Sequence, residues 1–281
     1  MDHIGKALEK ARGNADTVRD WMKPVASEDS AAQAFRPDSK GQEVYLDPEH
    51  LLANRVIARG FDSAAIIDRY RLLRTRVQQI MRPRGWNVLG VTSPSAEAGK
   101  TLTSINLAMA LSQTGQQHIY IIDADLRRSS VAPTLGFRPQ FGLTDFLQER
   151  VSLDDVLYTP TDYPNLSIVP GEGSSGVEHP SELLNSNALS KLLNSLRKGK
   201  DQAMVIVDTP PIQLGDDVLA VSTFVDCFLL VVEESVTTVQ EVEDAAGLLA
   251  DSNLIGTVLN KSAEKPRKFE SYYQSRSVDE R

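Results

Sequence analysis

From Trp86 to Lys261 the chain alternates between short, almost wholly apolar runs and longer segments whose apolar positions recur every three or four residues. The runs "WNVLGVTS", "HIYIIDAD", "LSIVP", "AMVIVDTP", "CFLLVVEE" and "LIGTVLNK" read as strands. Apolar and β-branched residues in a short block, bounded by polar or turn residues, suit a strand buried on both faces. Between them, "LTSINLAMALSQTG" (stopped by Gly115), "PSELLNSNALSKLLNSLRKG" and "TTVQEVEDAAGLLADSN" carry the helical period. Upstream, "DPEHLLANRVIA" reads as a helix, and "DSAAIIDRYRLLRTRVQQIM" as another, opened by an Asp-Ser cap with Ile66, Ile67, Tyr70, Leu73 and Val77 at helical spacing. Strands alternating with helices predict an α/β fold: a mainly parallel sheet covered by helices on both faces, with ligands bound beyond the carboxyl ends of the strands.

The ends of the chain lack this pattern. Ile4, Leu8 and Ala11 mark a short amphipathic helix, and residues 13 to 43 are rich in Ala, Asp, Ser, Gln and Pro, too poor in large apolar groups to offset the entropy of ordering. The expected division is therefore an N-terminal helix and flexible linker (1–43), a folded domain (44–262) and a mobile C-terminal tail (263–281).

Composition narrows the function classes. A net charge of -8 and a pI near 5.1 argue against a nucleic-acid partner, which calls for a basic face. Cys227 is the single cysteine, so an internal disulfide is excluded and a reducing, cytoplasmic location is expected. No run approaches the roughly 18 apolar residues of a membrane span, and "MDHIGKALEKAR" lacks the apolar core of a signal peptide. His3, His50, His118 and His179 are scattered, without cysteine or paired-histidine context, so a bound metal is expected to have oxygen ligands.

The candidate chemistry lies at the strand ends. "TSPSAEAGKT" follows a predicted strand and opens a predicted helix, the setting in which backbone N–H groups and the positive helix end cradle phosphates. Ala98, Gly99, Lys100, Thr101 and Leu102 are the binding stretch: Lys100 reaches the phosphates and the Thr101 hydroxyl binds magnesium. Pro94 stands where the ordinary pattern has glycine, and Glu97 where a second glycine is common, which restricts the approach of the backbone. "IIDADLRRS" sets Asp123 and Asp125 past one strand, and "MVIVDTPP" sets Asp208 past another, where carboxylates hold a hydrated magnesium ion facing the loop. "GEGSSG" (171–176) matches a dinucleotide fingerprint in spacing, but Pro180 follows it rather than a helix, so it reads as a flexible loop. No Gly-x-Ser-x-Gly elbow is present.

"TSPSAEAGKTLTSINLAMAL", "IYIIDADLRRSS", "GLTDFL", "HPSELLNS" and "VIVDTPP" together resemble, in order, the bacterial protein-tyrosine kinases of exopolysaccharide synthesis, over roughly residues 45 to 262. That resemblance implies a P-loop NTPase of the deviant Walker A type that uses ATP and magnesium. It implies phosphate and metal binding by Lys100 and Thr101, and a water-mediated metal contact by Asp208. Asp123 would coordinate the metal and assist deprotonation of the acceptor, Asp125 would share that shell, and Arg127 and Arg128 would stabilise negative charge. It further implies ring assembly through Asp68, Arg71 and Arg74, with Asp in place of the usual Glu, and phosphorylation of Tyr272 and Tyr273 by a neighbouring subunit. The implied partner is an integral-membrane polysaccharide chain-length (co-polymerase) protein, whose cytoplasmic segment recruits the chain to the inner face of the membrane. The implied role is regulation of polysaccharide polymerisation and export. Two alternatives stay open: a non-kinase P-loop ATPase regulator or scaffold of the same assembly, and a positioning ATPase of the partitioning type. The latter group carries an extra lysine near the start of the loop, where this chain has Pro94.

Overall fold

The computed structural model describes residues 41–58, 60–171, 180–198 and 203–262. The N-terminal helix and most of the linker, most of "GEGSSG", and the tail with Tyr272 and Tyr273 lie outside the described residues.

An eight-stranded sheet forms the middle layer: β1 (Gln42–Val44), β2 (Val88–Thr92), β3 (Ile119–Asp123), β4 (Tyr158–Pro160), β5 (Leu166–Val169), β6 (Met204–Asp208), β7 (Cys227–Glu233) and β8 (Leu254–Asn260), in the order β1-β4-β5-β3-β6-β2-β7-β8. Every pairing is parallel except β4 with β5. The six strands read from the sequence are all present. The additional β1 and β4 are three residues each, too short for a periodic signal, and β4 contains Pro160.

Alternation along the central strands divides the core between the two faces. Leu89, Val91, Ile119, Ile121 and Ile206 face one side, where they meet Val77 and Met81 of helix α2 (Ala64–Met81) and Ile105 and Met109 of helix α3 (Lys100–Ser112). Val88, Tyr120, Ile122, Val205 and Val207 face the other, against Leu143, Leu147, Leu189, Leu192 and Leu196. Burying each such aliphatic side chain contributes on the order of 2 kcal/mol. Among the described residues, no helix is long and apolar enough to cross a membrane.

Two helices differ from their sequence pattern. "DPEHLLANRVIA" is helical only over α1 (Pro48–Ala53); Arg55 takes a positive φ of 60° and redirects the chain. The apolar Val56, Ile57 and Ala58 are buried in non-helical backbone instead, where the Ile57 N–H donates to Asn106 Oδ1 at 2.8 Å and Asn106 Nδ2 donates to the Arg55 carbonyl at 3.1 Å. The segment starting at Pro180 breaks into Pro180–Leu184 and Asn187–Lys198. Asn185 and Ser186, which favour local turns over helix, occupy the break.

Candidate nucleotide-phosphate site

β2, β6 and β3 lie side by side and end together, with Val91 opposite Asp208 and Asp208 opposite Asp123. The loop after β2 runs straight into α3. Its turn needs positive φ at two places, Glu97 (64°) and Gly99 (90°). Gly99 adopts this freely. Glu97 bears a Cβ penalty there of about 1–2 kcal/mol. The first N–H of α3 to find a carbonyl is that of Thr103, which donates to Gly99 at 3.0 Å. Among the described residues, the N–H groups of 97–102 have no backbone partner, leaving a row of donors at the positive end of a 13-residue helix.

Lys100 folds over this row into a nest of carboxylates, with Nζ 2.8 Å from Asp125 Oδ2 and 3.5 Å from Asp208 Oδ2. The Thr101 hydroxyl donates to Asp208 Oδ2 at 2.6 Å and lies 3.0 Å from Ser130 Oγ. Ser104, one helical turn beyond Lys100, donates to Asp208 Oδ1 at 3.1 Å. Asp123 is turned toward its own loop: Oδ1 accepts from the Asp125 N–H (3.2 Å), and Oδ2 accepts from Ser129 Oγ (2.8 Å) and the N–H groups of Ser130 (2.8 Å) and Val131 (2.9 Å).

Burial dominates the titration of the two enclosed aspartates. It pushes Asp123 up to about 7, helped by the charge of Asp208 and opposed by the donors from Val131 and Ser129 and by Lys100. It also raises Asp208, although Lys100, Thr101 and Ser104 all favour the ionised form. Lys100 moves the other way from its own desolvation, which alone would lower it. Asp208 and Asp125, then Asp123, over-compensate and hold it above the ordinary lysine value, so the ammonium stays charged.

Next to these groups opens a cavity of about 450 Å³, lined by Ala96, Glu97, Gly99, Lys100, Thr101, Asp125, Arg127, Arg128 and Ser130 on one side and by Pro210, Pro211, Leu214, Gly215 and Asp217 on the other. Asn260, the last residue of β8, donates from Nδ2 to the Ala98 carbonyl at 2.8 Å and braces the loop from behind. Among the described residues, no group of three His, Cys, Asp or Glu side chains is arranged to ligate a metal directly. The oxygen groups present instead combine one hydroxyl with separated carboxylates.

Of the residues singled out in the sequence, Gly99, Lys100, Thr101, Asp123, Asp125 and Asp208 are brought together. Ala98 contributes its carbonyl to the brace, and Leu102 packs half-buried against the core. The charged set on α2 splits: Asp68 and Arg71 form an exposed pair at 3.1 Å, whereas Arg74 donates to the Ala110 carbonyl of α3 at 3.0 Å. Sequence reasoning missed Ser104, Ser130, Asp217 and Asn260. The signal for Ser104 was its position four residues after Lys100 on one helix; for Asp217, the acidic pair after the apolar "PPIQL" turn.

No protein-family profile matches the chain. A putative tyrosine-protein kinase in the cps region of Klebsiella pneumoniae is 34% identical over 205 residues, which cover 71% of this chain and 27% of that protein. The chain thus spans only about a quarter of that relative. The tyrosine-protein kinase CpsD of Streptococcus agalactiae is 29% identical over 72% of this chain and 86% of its own length. Among solved structures, the kinase domain of the Escherichia coli tyrosine kinase ETK matches with a TM-score of 0.64 at 28% identity, over 71% of this chain and 78% of that one. In sequence and in fold the chain is thus similar to bacterial tyrosine-protein kinases over about 71% of its length.

Proposed function

We propose that the chain is a magnesium-dependent ATP:protein-tyrosine phosphotransferase that phosphorylates its own tail at Tyr272 and Tyr273. On this reading, residues 44–262 are the catalytic domain, and the activity regulates polysaccharide polymerisation and export through an integral-membrane partner. The observation that carries the reading is the placement of Lys100, Thr101, Asp125 and Asp208 within hydrogen-bonding or ion-pairing reach at a helix end whose N–H groups have no backbone partner among the described residues.

That donor set fits a nucleotide phosphate and a hydrated magnesium ion. The N–H groups of 97–102 and Lys100 would hold phosphate oxygens, while Thr101 and Asp208 would hold the metal, Asp208 and Asp123 through water. Magnesium, when bound, neutralises charge on the phosphates. Lys100 exchanges carboxylate partners for phosphate without leaving its nest. In the transfer the bond from the γ-phosphorus to ADP breaks, a bond to the tyrosine oxygen forms, and the phenolic proton passes to a carboxylate. Asp125 lines the cavity and Asp123 is fully enclosed. We therefore assign the proton-accepting contact to Asp125, and to Asp123 the holding of loop 125–131 in shape.

The test mixes two chains with ATP, magnesium and the cytoplasmic segment of the membrane partner. One is Lys100→Met, which keeps its tail; the other is Tyr272→Phe/Tyr273→Phe, which keeps its site. Phosphotyrosine on the Lys100→Met tail is the expected result. ATP hydrolysis without any phosphotyrosine would favour the ATPase-regulator reading instead.

A further inference from the structure

Across the cavity mouth, Arg127 and Asp217 form an ion pair that the loop, metal and carboxylate roles do not use. Arg127 Nε donates to Asp217 Oδ2 at 2.6 Å and Nη2 to Oδ1 at 3.3 Å, a forked contact with one carboxylate. The partners are unequal. The Asp217 side chain is 4% exposed, whereas that of Arg127 is 52% exposed. Asp217 is the first residue of the helix Asp217–Ser222, reached through the segment that follows Asp208, and Arg127 sits two residues after Asp125. The pair therefore ties the loop after β3 to the loop after β6, and both members line the same cavity as Lys100 and Thr101.

A half-exposed ion pair contributes little to stability in general, so stability alone does not explain a buried aspartate aimed at an exposed arginine. Charge accounting at the cavity supplies a better reason. The Lys100 ammonium is shared between two carboxylates, so its charge is already compensated before any phosphate arrives. Arg127 is hydrogen-bonded to one carboxylate through Nε and Nη2, feels the charges of Asp216 and Asp125 as well, and among the described residues has no hydrogen bond from Nη1. A guanidinium fixed through one edge keeps the remaining N–H groups available, and its planar fork limits the entropy lost when a second anion binds.

We propose that Asp217 is a positioning residue, which holds Arg127 at the cavity mouth so that the free edge of the guanidinium takes up charge on the phosphoryl group as it is transferred. The inference rests on the phosphotransfer reading above. The transfer spreads negative charge over the equatorial oxygens of the moving group, and a preorganised cation there acts without reorganising at the moment of reaction. Asp217 acts only through Arg127. Its removal frees the arginine to sample other rotamers and weakens the effect without abolishing it.

The experiment uses the full chain and calorimetry, with two probes: MgADP alone, and MgADP with aluminium fluoride, which mimics the phosphoryl group in transfer. Arg127→Ala should weaken binding of the aluminium fluoride complex by about 100-fold, the scale of one lost transition-state donor, and leave MgADP affinity unchanged within threefold. Asp217→Asn should weaken it by about tenfold, the lower end of the scale for one weakened hydrogen bond to a charged group. The double variant should match Arg127→Ala alone, because an effect exerted through Arg127 vanishes with it. Arg127→Lys, a surface change that keeps the charge but not the fork, should fall between wild type and alanine. It carries the test if Asp217→Asn fails to fold. Equal losses for both probes, an undiminished effect of Asp217→Asn in the Arg127→Ala background, or wild-type behaviour of Arg127→Ala and Arg127→Lys would each overturn the proposal. A wild-type chain that binds the aluminium fluoride complex tightly yet yields no phosphotyrosine would sink the kinase reading and leave the Arg127–Asp217 relation standing.

Discussion

Gly99→Ala probes the phosphate loop more sharply than any charge removal, because two separable costs meet at that position. The backbone there has φ of 90°, and a Cβ built on it overlaps Asn260 Nδ2. The left-handed conformation costs an alanine about 1–2 kcal/mol. Expelling the Asn260 amide forfeits its 2.8 Å hydrogen bond to the Ala98 carbonyl, worth about 1 kcal/mol net. The sum is about 2–3 kcal/mol, a large share of the roughly 5–15 kcal/mol that holds a domain folded. Repeating the change in an Asn260→Ala background separates the parts. The amide is then absent, the steric cost disappears, and only the backbone cost of about 1–2 kcal/mol remains. Urea unfolding of the four chains at fixed pH gives the coupling directly, expected at about 1 kcal/mol. ATP affinity, measured in parallel, should fall in Gly99→Ala and recover partly in the double variant. Identical costs in the two backgrounds would refute the reasoning, since Asn260 would then not occupy the space. A costless Gly99→Ala would refute the backbone part as well.

Three further outcomes follow from the same geometry. Glu97→Gly should raise stability by about 1 kcal/mol, because glycine carries no penalty at φ of 64°; a lower urea midpoint would contradict this. Asp123 has a folded pKa of about 7, above its unfolded value near about 4. Between those pH values the folded chain holds a proton that the unfolded chain releases, so stability falls as pH rises through this window and levels off above it. Asp123→Asn should flatten that decline in urea midpoints, and an unchanged slope would show that the group titrates elsewhere. Arg71→Ala, at an exposed pair, should leave stability within about 0.5 kcal/mol of wild type, whereas Arg74→Ala should lose about 1–2 kcal/mol with its bond to the Ala110 carbonyl. If the ring-assembly role holds for Arg71, light scattering should show smaller particles for Arg71→Ala at undiminished stability.

What could be read in advance was what is local. An apolar run followed after a short polar loop by Gly-Lys-Thr, and two more runs ending in aspartates, set β2, β3 and β6 and put their polar ends on one edge, because strand period and burial are properties of consecutive residues. The parts hidden from the sequence depend on distance or on context. Asn260 reaches the loop across 162 positions, and nothing in "VLNK" hints at a carbonyl waiting at Ala98. Arg74 shares its helical spacing with Asp68 and Arg71, yet it faces α3 while they face solvent. Spacing alone cannot report which side of α2 is covered. Asp123 was legible as a strand-end carboxylate, but its four donors come from a turn whose conformation no periodicity encodes. The Val-Ile-Ala run after Arg55 reads as helix by its apolar content, and only the positive φ of Arg55, invisible to that pattern, breaks the register.

The Asn260 brace also sets an order in time. Ala98 and its loop leave the ribosome 162 residues before their brace is made, a delay of about 8–30 s at ordinary synthesis rates. Throughout that interval the nascent chain already carries the Gly-Lys-Thr stretch and, later, both aspartate pieces, with the loop unsupported from behind. Among the described residues, β8, which positions Asn260, is also the edge strand of the sheet and pairs only with β7. The last of the described strands to emerge therefore completes that edge of the sheet and shapes the phosphate loop in one step. A stalled or nicked chain ending before residue 260 keeps every phosphate-binding motif and lacks the piece that holds them in form.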